Sequence, residues 1–279
     1  MTCEAVDLTG YFARIGYVGP HSPNLAVLRA LTRLQPTHIA FENLDVLLKR
    51  PIWLDAATLW RKLVSGRRGG YCYEHNTLLL YVLNALGFQA APLLARVLWQ
   101  RDPARPIPRT HMLLRIDLPE GLYIADVGFG ACTPTAPLAL VADVEQQTPL
   151  EQFRLKPHGP EYDLQVQLSG EWIDVYRFRP DPVLLVDCEP PNWFHSTCPD
   201  SPFTQRLVAG RADSDRRHFL RDLDHTVHHR DGSRERQTIT DGAALLRLLE
   251  TTFMIGFHND IDRNAARRRL HRLVVETRH

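Results

Sequence analysis

The apolar residues in the first part of the chain recur every three or four positions, the spacing that places side chains on one helix face. Gly16, Pro36, Gly66 and Gly87 follow the apolar stripes and are typical helix stops. The pattern therefore predicts a bundle of helices over residues 1–87. The predicted helices lie at about 8–15, 24–34, 55–63 and 73–86.

From Phe88 onward the pattern changes to short apolar segments bounded by turn residues, as in strands. The dipeptide Ser169-Gly170 separates two such segments and favours a hairpin turn. We predict an antiparallel β-barrel or closed sandwich over residues 88–180, followed by a long proline-rich connection, Pro180 to Pro202, with little regular structure. The predicted strands are 88–98, 111–117, 122–128, 161–168 and 171–178.

The last part of the chain, 201–279, combines both patterns. Short strand-like segments come first, and a helix that Asp241 can cap follows them over 241–255. The basic tail favours one more helix. The strand-like segments are 203–209, 216–221, 224–230 and 234–240. The whole sequence is therefore predicted to be of the α+β class, without internal repeats.

Composition narrows the possible partners. The chain has 279 residues, 44% hydrophobic and 23% charged, which suits a soluble globular protein of two or three small packed domains. Its formal net charge of +1 argues against nucleic acid or an anionic membrane as the main partner. No apolar run approaches the roughly 18 residues of a membrane-spanning helix.

The cysteines indicate a reducing compartment. Their number is odd, and they form no CxxC pair, so reduced thiols are more plausible than a disulfide framework. Residues 1–10 have neither a basic start nor an apolar run and do not resemble a signal peptide. We therefore expect a cytoplasmic protein. The cysteines are at positions 3, 72, 132, 188 and 198.

One cysteine lies at the junction of a glycine loop and a predicted helix. The stretch reads Arg68-Gly69-Gly70-Tyr71-Cys72-Tyr73-Glu74-His75-Asn76. The thiolate is the reactive form of cysteine, and a helix N-terminus or a neighbouring imidazolium favours it. The unpaired N–H groups of the first helical turn can also hold an oxyanion. We interpret Cys72 as a nucleophile; the plain alternative is a small buried apolar residue in a glycine turn.

A nucleophilic cysteine needs a base, and two histidines are candidates. His75 lies a helical turn away from the sulfur and has no evident residue to orient it. His111 opens an apolar strand, and Asp126 lies in a second apolar strand, where an unpaired charge is costly. If residues 117–120 form a four-residue hairpin loop, His111 and Asp126 are directly opposite each other and within hydrogen-bond reach. We therefore predict a Cys72–His111–Asp126 triad.

These segments resemble the three signatures of the arylamine N-acetyltransferases, in the same order and with similar spacing. One signature is the cysteine stretch, and the others are Thr110-His111 and Asp126-Val127-Gly128-Phe129-Gly130. Further agreement extends to Ala40-Phe41-Glu42-Asn43-Leu44 and Ser201-Pro202-Phe203. Tyr73 departs from the pattern, since many members have phenylalanine there.

The resemblance implies three domains: a helical bundle over 1–87 that carries the nucleophile, a β-barrel with the interdomain connection over 88–200, and an α/β lid over 201–279. It implies a ping-pong reaction in which acetyl-CoA acetylates Cys72 and an arylamine, arylhydrazine or arylhydroxylamine then takes the acetyl group. Acetyl-CoA is then a co-substrate, and no permanently bound cofactor is expected. Monomer and homodimer both remain open.

The resemblance also implies roles around the triad. Phe41, Phe129 and Phe203 are expected to be apolar walls for the aromatic acceptor, and Thr110 and Gly130 are expected to lie near the CoA pantetheine. A group of arginines in one loop region is a candidate for the CoA phosphates, although such loops are more often merely solvated. These are Arg96, Arg101, Arg105 and Arg109. No metal site is predicted, because the histidines at 225, 228 and 229 have no supporting ligands.

Three other functions remain open at the level of the sequence. An amide synthase of the same fold, acting on a polyketide thioester, would share the triad. A cysteine hydrolase of the transglutaminase or protease type would turn over the acyl-cysteine with water. A non-catalytic binding protein would leave Cys72 inert.

Overall fold

The computed structural model describes residues 6–102, 106–257 and 259–277. The first part of the chain is helical, as predicted, with one two-residue strand, β1 (Phe41–Glu42), between its second and third helices. A π-helix over Trp60–Ser65 continues the fourth helix. The helices are α1 (Leu8–Ile15), α2 (Leu25–His38), α3 (Leu44–Leu47), α4 (Ala56–Leu59) and α5 (Cys72–Ala85).

Helix α5 is the centre of the helical part. Eleven of its fourteen residues are buried, so nearly every side of the helix packs against other parts of the protein. Asn24 caps α2 by accepting a hydrogen bond from Val27 N at 3.0 Å. The prediction that α2 stops at Pro36 was wrong, because the helix continues to His38.

An eight-stranded antiparallel sheet follows, in the strand order β5-β4-β3-β2-β9-β8-β7-β6. It curls toward closure, because a bridge between Ala142 and Leu155 joins the chain after β5 to β7. Leu113, Ile124 and Phe153 pack inside this barrel. The strands are β2 (Gln89–Val97), β3 (Arg109–Leu118), β4 (Gly121–Ala125), β5 (Leu138–Ala139), β6 (Gln146–Gln147), β7 (Gln152–His158), β8 (Glu161–Leu168) and β9 (Glu171–Phe178).

The β3–β4 hairpin is tighter than the sequence suggested. Leu118 is opposite Gly121, so a two-residue turn replaces the predicted four-residue loop. The prediction that His111 and Asp126 are directly opposite was therefore wrong. Continuing the observed register beyond Ala125 would place Asp126 opposite Leu113, two residues from His111. Because side chains alternate along a strand, His111 and Asp126 still share one face.

The connection after the barrel has more regular structure than predicted. A 3₁₀ turn over Leu185–Cys188 leads directly into helix α6 (Glu189–Thr197), and α7 (Pro202–Gln205) follows. Pro190 and Pro191 lie in the first turn of α6. Proline is well tolerated there, because the backbone N–H groups of a first turn have no acceptor within the helix. These prolines start a helix rather than prevent one.

The last part of the chain forms a second antiparallel sheet, which two helices accompany. Its strand order is β1-β10-β11-β12-β13, so the short strand of the helical part is its edge. Phe41 pairs with Gly210, which ties the two parts of the chain together. The new elements are β10 (Val208–Ala212), β11 (Arg216–Arg221), β12 (Asp224–His229), β13 (Arg234–Thr238), α8 (Gly242–Thr251) and α9 (Asp260–Thr277).

The predicted strand at 203–209 was wrong in its first half, which belongs to α7. Among the described helices, none combines the length and apolar character that crossing a bilayer requires. Cys3 lies outside the described residues. The described cysteines, all free thiols, are Cys72, Cys132, Cys188 and Cys198.

Candidate active site

A cleft of about 1850 Å³ opens where the helical part, the barrel and the second sheet meet. Asp126 is buried behind His111, and the backbone of Gly130 packs against the ring of Phe41; neither residue forms the lining itself. The other predicted site residues line this one cleft. They are Phe41, Cys72, Thr110, His111, Phe129 and Phe203.

Cys72 is the first residue of α5, and the loop before it is tied to β1. Gly70 N donates to Ala40 O at 3.3 Å, and Glu42 N donates to Gly70 O at 2.8 Å. A Cβ on Gly69 would lie only 2.0 Å from Ala40 O, so this close approach requires glycine. The glycines therefore let the loop lie against β1 and fix where the cysteine enters the helix.

Buried charges hold the same loop from the other side. Glu74 accepts from Tyr71 N at 3.1 Å through one carboxylate oxygen and pairs with Lys62 Nζ at 2.6 Å through the other. Arg68 pairs with Glu42 at 2.7 Å. Removing one member of such a buried ion pair leaves the other charge uncompensated, which strongly destabilises the fold. The Arg68–Tyr71 loop is thus fixed on both flanks.

His111 and Asp126 form the bond that the sequence predicted. His111 Nε2 and Asp126 Oδ2 are 2.7 Å apart, and both side chains are almost fully buried. The other oxygen, Asp126 Oδ1, accepts from Gly128 N at 2.9 Å and from Asn76 Nδ2 at 3.0 Å. With three donors around it, the carboxylate has one orientation.

The charges of this pair support each other. Burial alone would lower the pKa of His111, but the charge and hydrogen bond of Asp126, with a smaller effect from a hydrogen bond with Cys72, raise it to about 10. Burial would likewise raise the pKa of Asp126, yet His111, Gly128 and Asn76 lower it. Because Nε2 is bonded to Asp126, the ring nitrogen that remains for Cys72 is Nδ1.

Asn76 is a site residue whose role the sequence did not reveal. Its amide nitrogen also donates to Met112 O at 2.8 Å, and its oxygen accepts from Val127 N at 3.1 Å. Gly128 follows, and a Cβ there would lie 2.9 Å from Cys72 Cα. Asn76 thus joins α5 to β3 and to the segment carrying Asp126. Its only sequence signal was its place in the polar run after Cys72.

His75 belongs to the helical core rather than to the cleft. It is fully buried, its Nε2 contacts Ala40 O at 3.0 Å, and Gln35 Nε2 lies 3.4 Å from its Nδ1. Burial lowers the pKa of His75 to about 4. The sequence suggested that nothing orients this ring, which was wrong, but these contacts hold it as a neutral structural group.

Aromatic rings form the walls next to the cysteine. The ring of Phe203 lies 5.9 Å from that of Phe41 and 5.8 Å from that of Tyr71. Phe129 meets His111 edge-on, with ring centroids 5.2 Å apart. Flat apolar faces on both sides suit a planar aromatic ligand.

Arginines also line the cleft. Of the four loop arginines proposed from the sequence, only Arg101 lines it; Arg96 donates to Ile107 O, Arg109 pairs with Glu161 at 3.1 Å, and Arg105 lies outside the described residues. Most of the basic lining comes instead from the second sheet and the turns beside it. Its arginines are Arg206, Arg217, Arg221, Arg230, Arg234 and Arg236.

Some of these arginines are already neutralised. Arg217 pairs with Glu151 at 2.7 Å, Arg206 with Asp222 at 2.9 Å and Arg236 with Asp224 at 2.8 Å. Within residues 6–102, 106–257 and 259–277, the others that line the cleft make no ion pair. These unpaired cations are Arg101, Arg221, Arg230 and Arg234.

His195 in α6 is a second cleft residue that sequence reasoning missed. It lines the cleft and is 7% exposed, and its Nε2 lies 2.9 Å from the carbonyl oxygen of Thr110. Phe203 is its ring neighbour at 5.0 Å. The contact with Thr110 joins residues far apart in the chain, so no local pattern could indicate it.

Comparison with known proteins places these features in context. A family profile described as N-acetyltransferase matches residues 24–261. The arylamine N-acetyltransferase of Mycolicibacterium smegmatis is 42% identical over 255 residues, covering 90% of this chain and 92% of that protein. The arylamine N-acetyltransferase of Escherichia coli K12 is 40% identical over 250 residues, covering 89% of each chain.

Solved structures agree with the fold. The structure of Mycobacterium marinum arylamine N-acetyltransferase in complex with CoA superposes with a TM-score of 0.91 and 41% sequence identity. The match covers 96% of this chain and 99% of that one. The Salmonella typhimurium arylamine N-acetyltransferase gives a TM-score of 0.86 at 34% identity, over 94% of this chain and 97% of that one. The predicted α+β class, with its antiparallel barrel, is confirmed.

Proposed function

The chain belongs to the arylamine N-acetyltransferase family, and from this premise we propose that it moves an acetyl group from acetyl-CoA to an arylamine, arylhydrazine or arylhydroxylamine through Cys72. The observation that carries the proposal is that Cys72 and His111 line the same cleft, with His111 hydrogen-bonded to the buried Asp126 at 2.7 Å and with aromatic rings and arginines in the same lining. The enzyme class is that of an acyltransferase.

The first half of the reaction acetylates the cysteine. His111 takes the thiol proton, and the sulfur attacks the acetyl carbonyl of the thioester. The first intrahelical bond of α5 runs from His75 N to Tyr71 O, so the N–H groups of Cys72 and Tyr73 precede it and can stabilise the developing oxyanion. The intermediate expels the CoA thiolate, which takes its proton from His111.

The second half of the reaction regenerates the thiol. The acceptor nitrogen attacks the acetyl-cysteine while His111 removes one of its protons, and the C–S bond then breaks. The proton on His111 returns to the leaving sulfur. Asp126 holds Nε2–H throughout, so that Nδ1 faces the reacting atoms, and it stabilises the imidazolium. An arylhydroxylamine oxygen is acetylated by the same exchange.

Two groups of lining residues match the two substrates. The aromatic rings of Phe41, Phe129 and Phe203 suit the planar ring of the acceptor. The arginines without an ion pair, such as Arg221 and Arg230, suit the phosphates of CoA. Thr110 lies beside His111 in the lining, where the pantetheine must pass. Because both substrates reach the same sulfur, donor and acceptor alternate, which is the ping-pong order.

Mass spectrometry after incubation with acetyl-CoA alone tests the proposal. One acetyl group should appear on the peptide that contains Cys72, and the Cys72→Ala variant should show none. Adding 5-aminosalicylate or isoniazid should then remove the label and yield the acetylated acceptor.

Two other outcomes would favour the competing functions. Loss of the acetyl group to water at the same rate without any amine would indicate a hydrolase. A cysteine that ignores acetyl-CoA but accepts a polyketide thioester would indicate an amide synthase of the same fold.

A further inference from the structure

His195 occupies the wall of the cleft between α6 and β3, although the reaction above gives it no role. It is buried, and it lies against the strand that carries His111. A buried imidazole that reaches across from another element needs a physical reason, since its desolvation is costly.

The reason lies in an irregularity of β3. Strands β2 and β3 pair in register as far as Ala95 and His111, after which Arg96 faces Arg109. Thr110 is therefore the extra residue of a β-bulge, one position before His111. A bulge interrupts the ladder and re-aims nearby side chains. The conformation of Thr110 consequently sets the direction in which His111 leaves the strand.

The bond from His195 falls on this extra residue. Its Nε2 is 2.9 Å from Thr110 O. A carbonyl oxygen can only accept, so Nε2 carries the proton and Nδ1 is the acceptor nitrogen. Ser201 Oγ lies 3.4 Å from Nδ1 and donates to His195 O at 2.9 Å.

The surroundings keep this ring in place and uncharged. Tyr73 and Phe203 are ring neighbours at 6.3 Å and 5.0 Å. Burial lowers the pKa of His195 to about 4, against the hydrogen bond to Thr110, and the charges of His111 and Arg101 act in the same direction as burial. At neutral pH the ring is therefore a neutral donor with one fixed tautomer.

We propose that His195 is a positioning residue whose Nε2–H holds the Thr110 carbonyl and so fixes the bulge that aims His111 at Cys72. The inference rests on the proposed function, because His111 is the base there. The half-buried carbonyl of Thr110 must find another donor if it loses this one, and a displacement of about 1 Å at a reacting group can cost roughly a hundredfold in rate.

A matched pair of polar variants tests the role of this one donor. In His195→Gln the side-chain amide can take the place of Nε2, whereas in His195→Asn the shorter amide takes that of Nδ1 and cannot reach Thr110. Two rates are measured at neutral pH: alkylation of Cys72 by iodoacetamide, located by peptide mapping, and acetylation by acetyl-CoA without an acceptor.

We expect His195→Asn to slow both rates by roughly tenfold to a hundredfold, and His195→Gln to recover most of the loss. In steady state the change should appear in kcat, with KM for the arylamine little altered. His225→Asn is the control, since His225 is also a buried histidine but does not line the cleft. It should alkylate like the wild type.

Several results would overturn the proposal. Wild-type alkylation in His195→Asn would do so, as would equal losses in the Asn and Gln variants, or an effect confined to KM for the arylamine. A comparable loss in His225→Asn would attribute the effect to general loosening. If acetyl-CoA leaves wild-type Cys72 unmodified, the proposed function fails, but the alkylation rates still decide the role of His195.

Discussion

At the scale of single residues, the site depends on side chains whose hydrogen bonds allow only one arrangement. Asp126 has one oxygen for His111 and one shared by Gly128 N and Asn76 Nδ2. Gly128 N can only donate, so the atom of residue 126 that faces Gly128 and Asn76 must be an acceptor. The remaining oxygen then fixes the tautomer of His111.

Asp126→Asn should remove activity through the tautomer rather than through the fold. The new amide oxygen keeps the bonds from Gly128 and Asn76, so its NH₂ faces His111 Nε2. His111 Nε2 must then accept a hydrogen bond from this NH₂, so the ring proton moves to Nδ1. With Nδ1 protonated, the ring cannot take the proton of Cys72. We expect kcat for acetyl transfer to fall by roughly a thousandfold or more.

Acetyl transfer to 5-aminosalicylate measures this change, and thermal unfolding provides its control. A variant that unfolds many degrees earlier would have lost its fold, and Asp126→Glu would then be the test in its place. Near-normal turnover in a folded Asp126→Asn enzyme would contradict the role given to this carboxylate.

At the scale of elements, the site depends on how closely α5 approaches the segment after β4. Gly128 lies against the first turn of the helix, where an added Cβ would be 2.9 Å from Cys72 Cα and 3.0 Å from His75 Cβ. Backbone cannot yield as a flexible side chain can, so a larger residue must push the segment away. Asp126 and Val127 belong to the same segment and would move with it.

Gly128→Ala should therefore cost both stability and reactivity. Overpacking of this kind typically lowers the free energy of unfolding by about 1–3 kcal/mol, and the displaced segment should slow alkylation of Cys72 by iodoacetamide. Urea unfolding and the alkylation rate at neutral pH measure the two effects.

Gly159→Ala is the matched control for this substitution. A Cβ there meets nothing within 4 Å, although the backbone has a φ of +56°. It should lose some stability through backbone strain yet alkylate normally. Unchanged alkylation in a folded Gly128→Ala protein would show that the segment is not held as tightly as the contact implies.

The elements also show what the sequence can and cannot predict. Hairpin strands 161–168 and 171–178 were predicted correctly, because Ser169-Gly170 defines a local turn. The register of β3 and β4 was not, because residues 117–120 were supposed to form a four-residue hairpin loop, whereas Asp117 and Leu118 belong to β3. Asp117 remains in the strand, exposed, with both carboxylate oxygens held by Arg115 at 2.8 Å and 2.9 Å. Hydropathy alone does not indicate that Arg115 binds the carboxylate of Asp117 and so allows this polar residue to stay in the strand.

The residues of the site divide in the same way. Cys72, His111 and Asp126 could be proposed because each breaks a local pattern: a thiol at a glycine turn, and two polar groups in apolar strands. Asn76 and His195 could not, because their partners depend on where α5 and α6 pack against β3. Long-range packing of this kind appears only when the elements are assembled.

At the scale of the whole molecule, charge is distributed unevenly although its sum is small. The formal net charge is +1, yet several arginines of the second sheet line the cleft. Acidic partners neutralise Arg206, Arg217 and Arg236, which leaves Arg221, Arg230 and Arg234 without an ion pair within the described residues. An anionic donor that enters the cleft can therefore meet unpaired arginines, which the small net charge does not reveal.

Reversing one of these charges should weaken binding of the donor without affecting the chemistry. In Arg230→Glu we expect KM for acetyl-CoA to rise by roughly fivefold, the equivalent of about 1 kcal/mol for one pair of charges in contact in water. Acetylation by p-nitrophenyl acetate, which has no phosphates, should be unchanged. Arg247→Glu, at an exposed arginine outside the cleft, should leave both donors unaffected.

Salt provides the last step of this test. Raising the ionic strength from 0.1 M to 1 M shortens the screening length from about 10 Å to about 3 Å, so the wild type and Arg230→Glu should converge in KM for acetyl-CoA. A difference that persists at high salt would mean that Arg230 acts through shape rather than charge. Equal losses with acetyl-CoA and p-nitrophenyl acetate would instead place its effect on the reacting atoms.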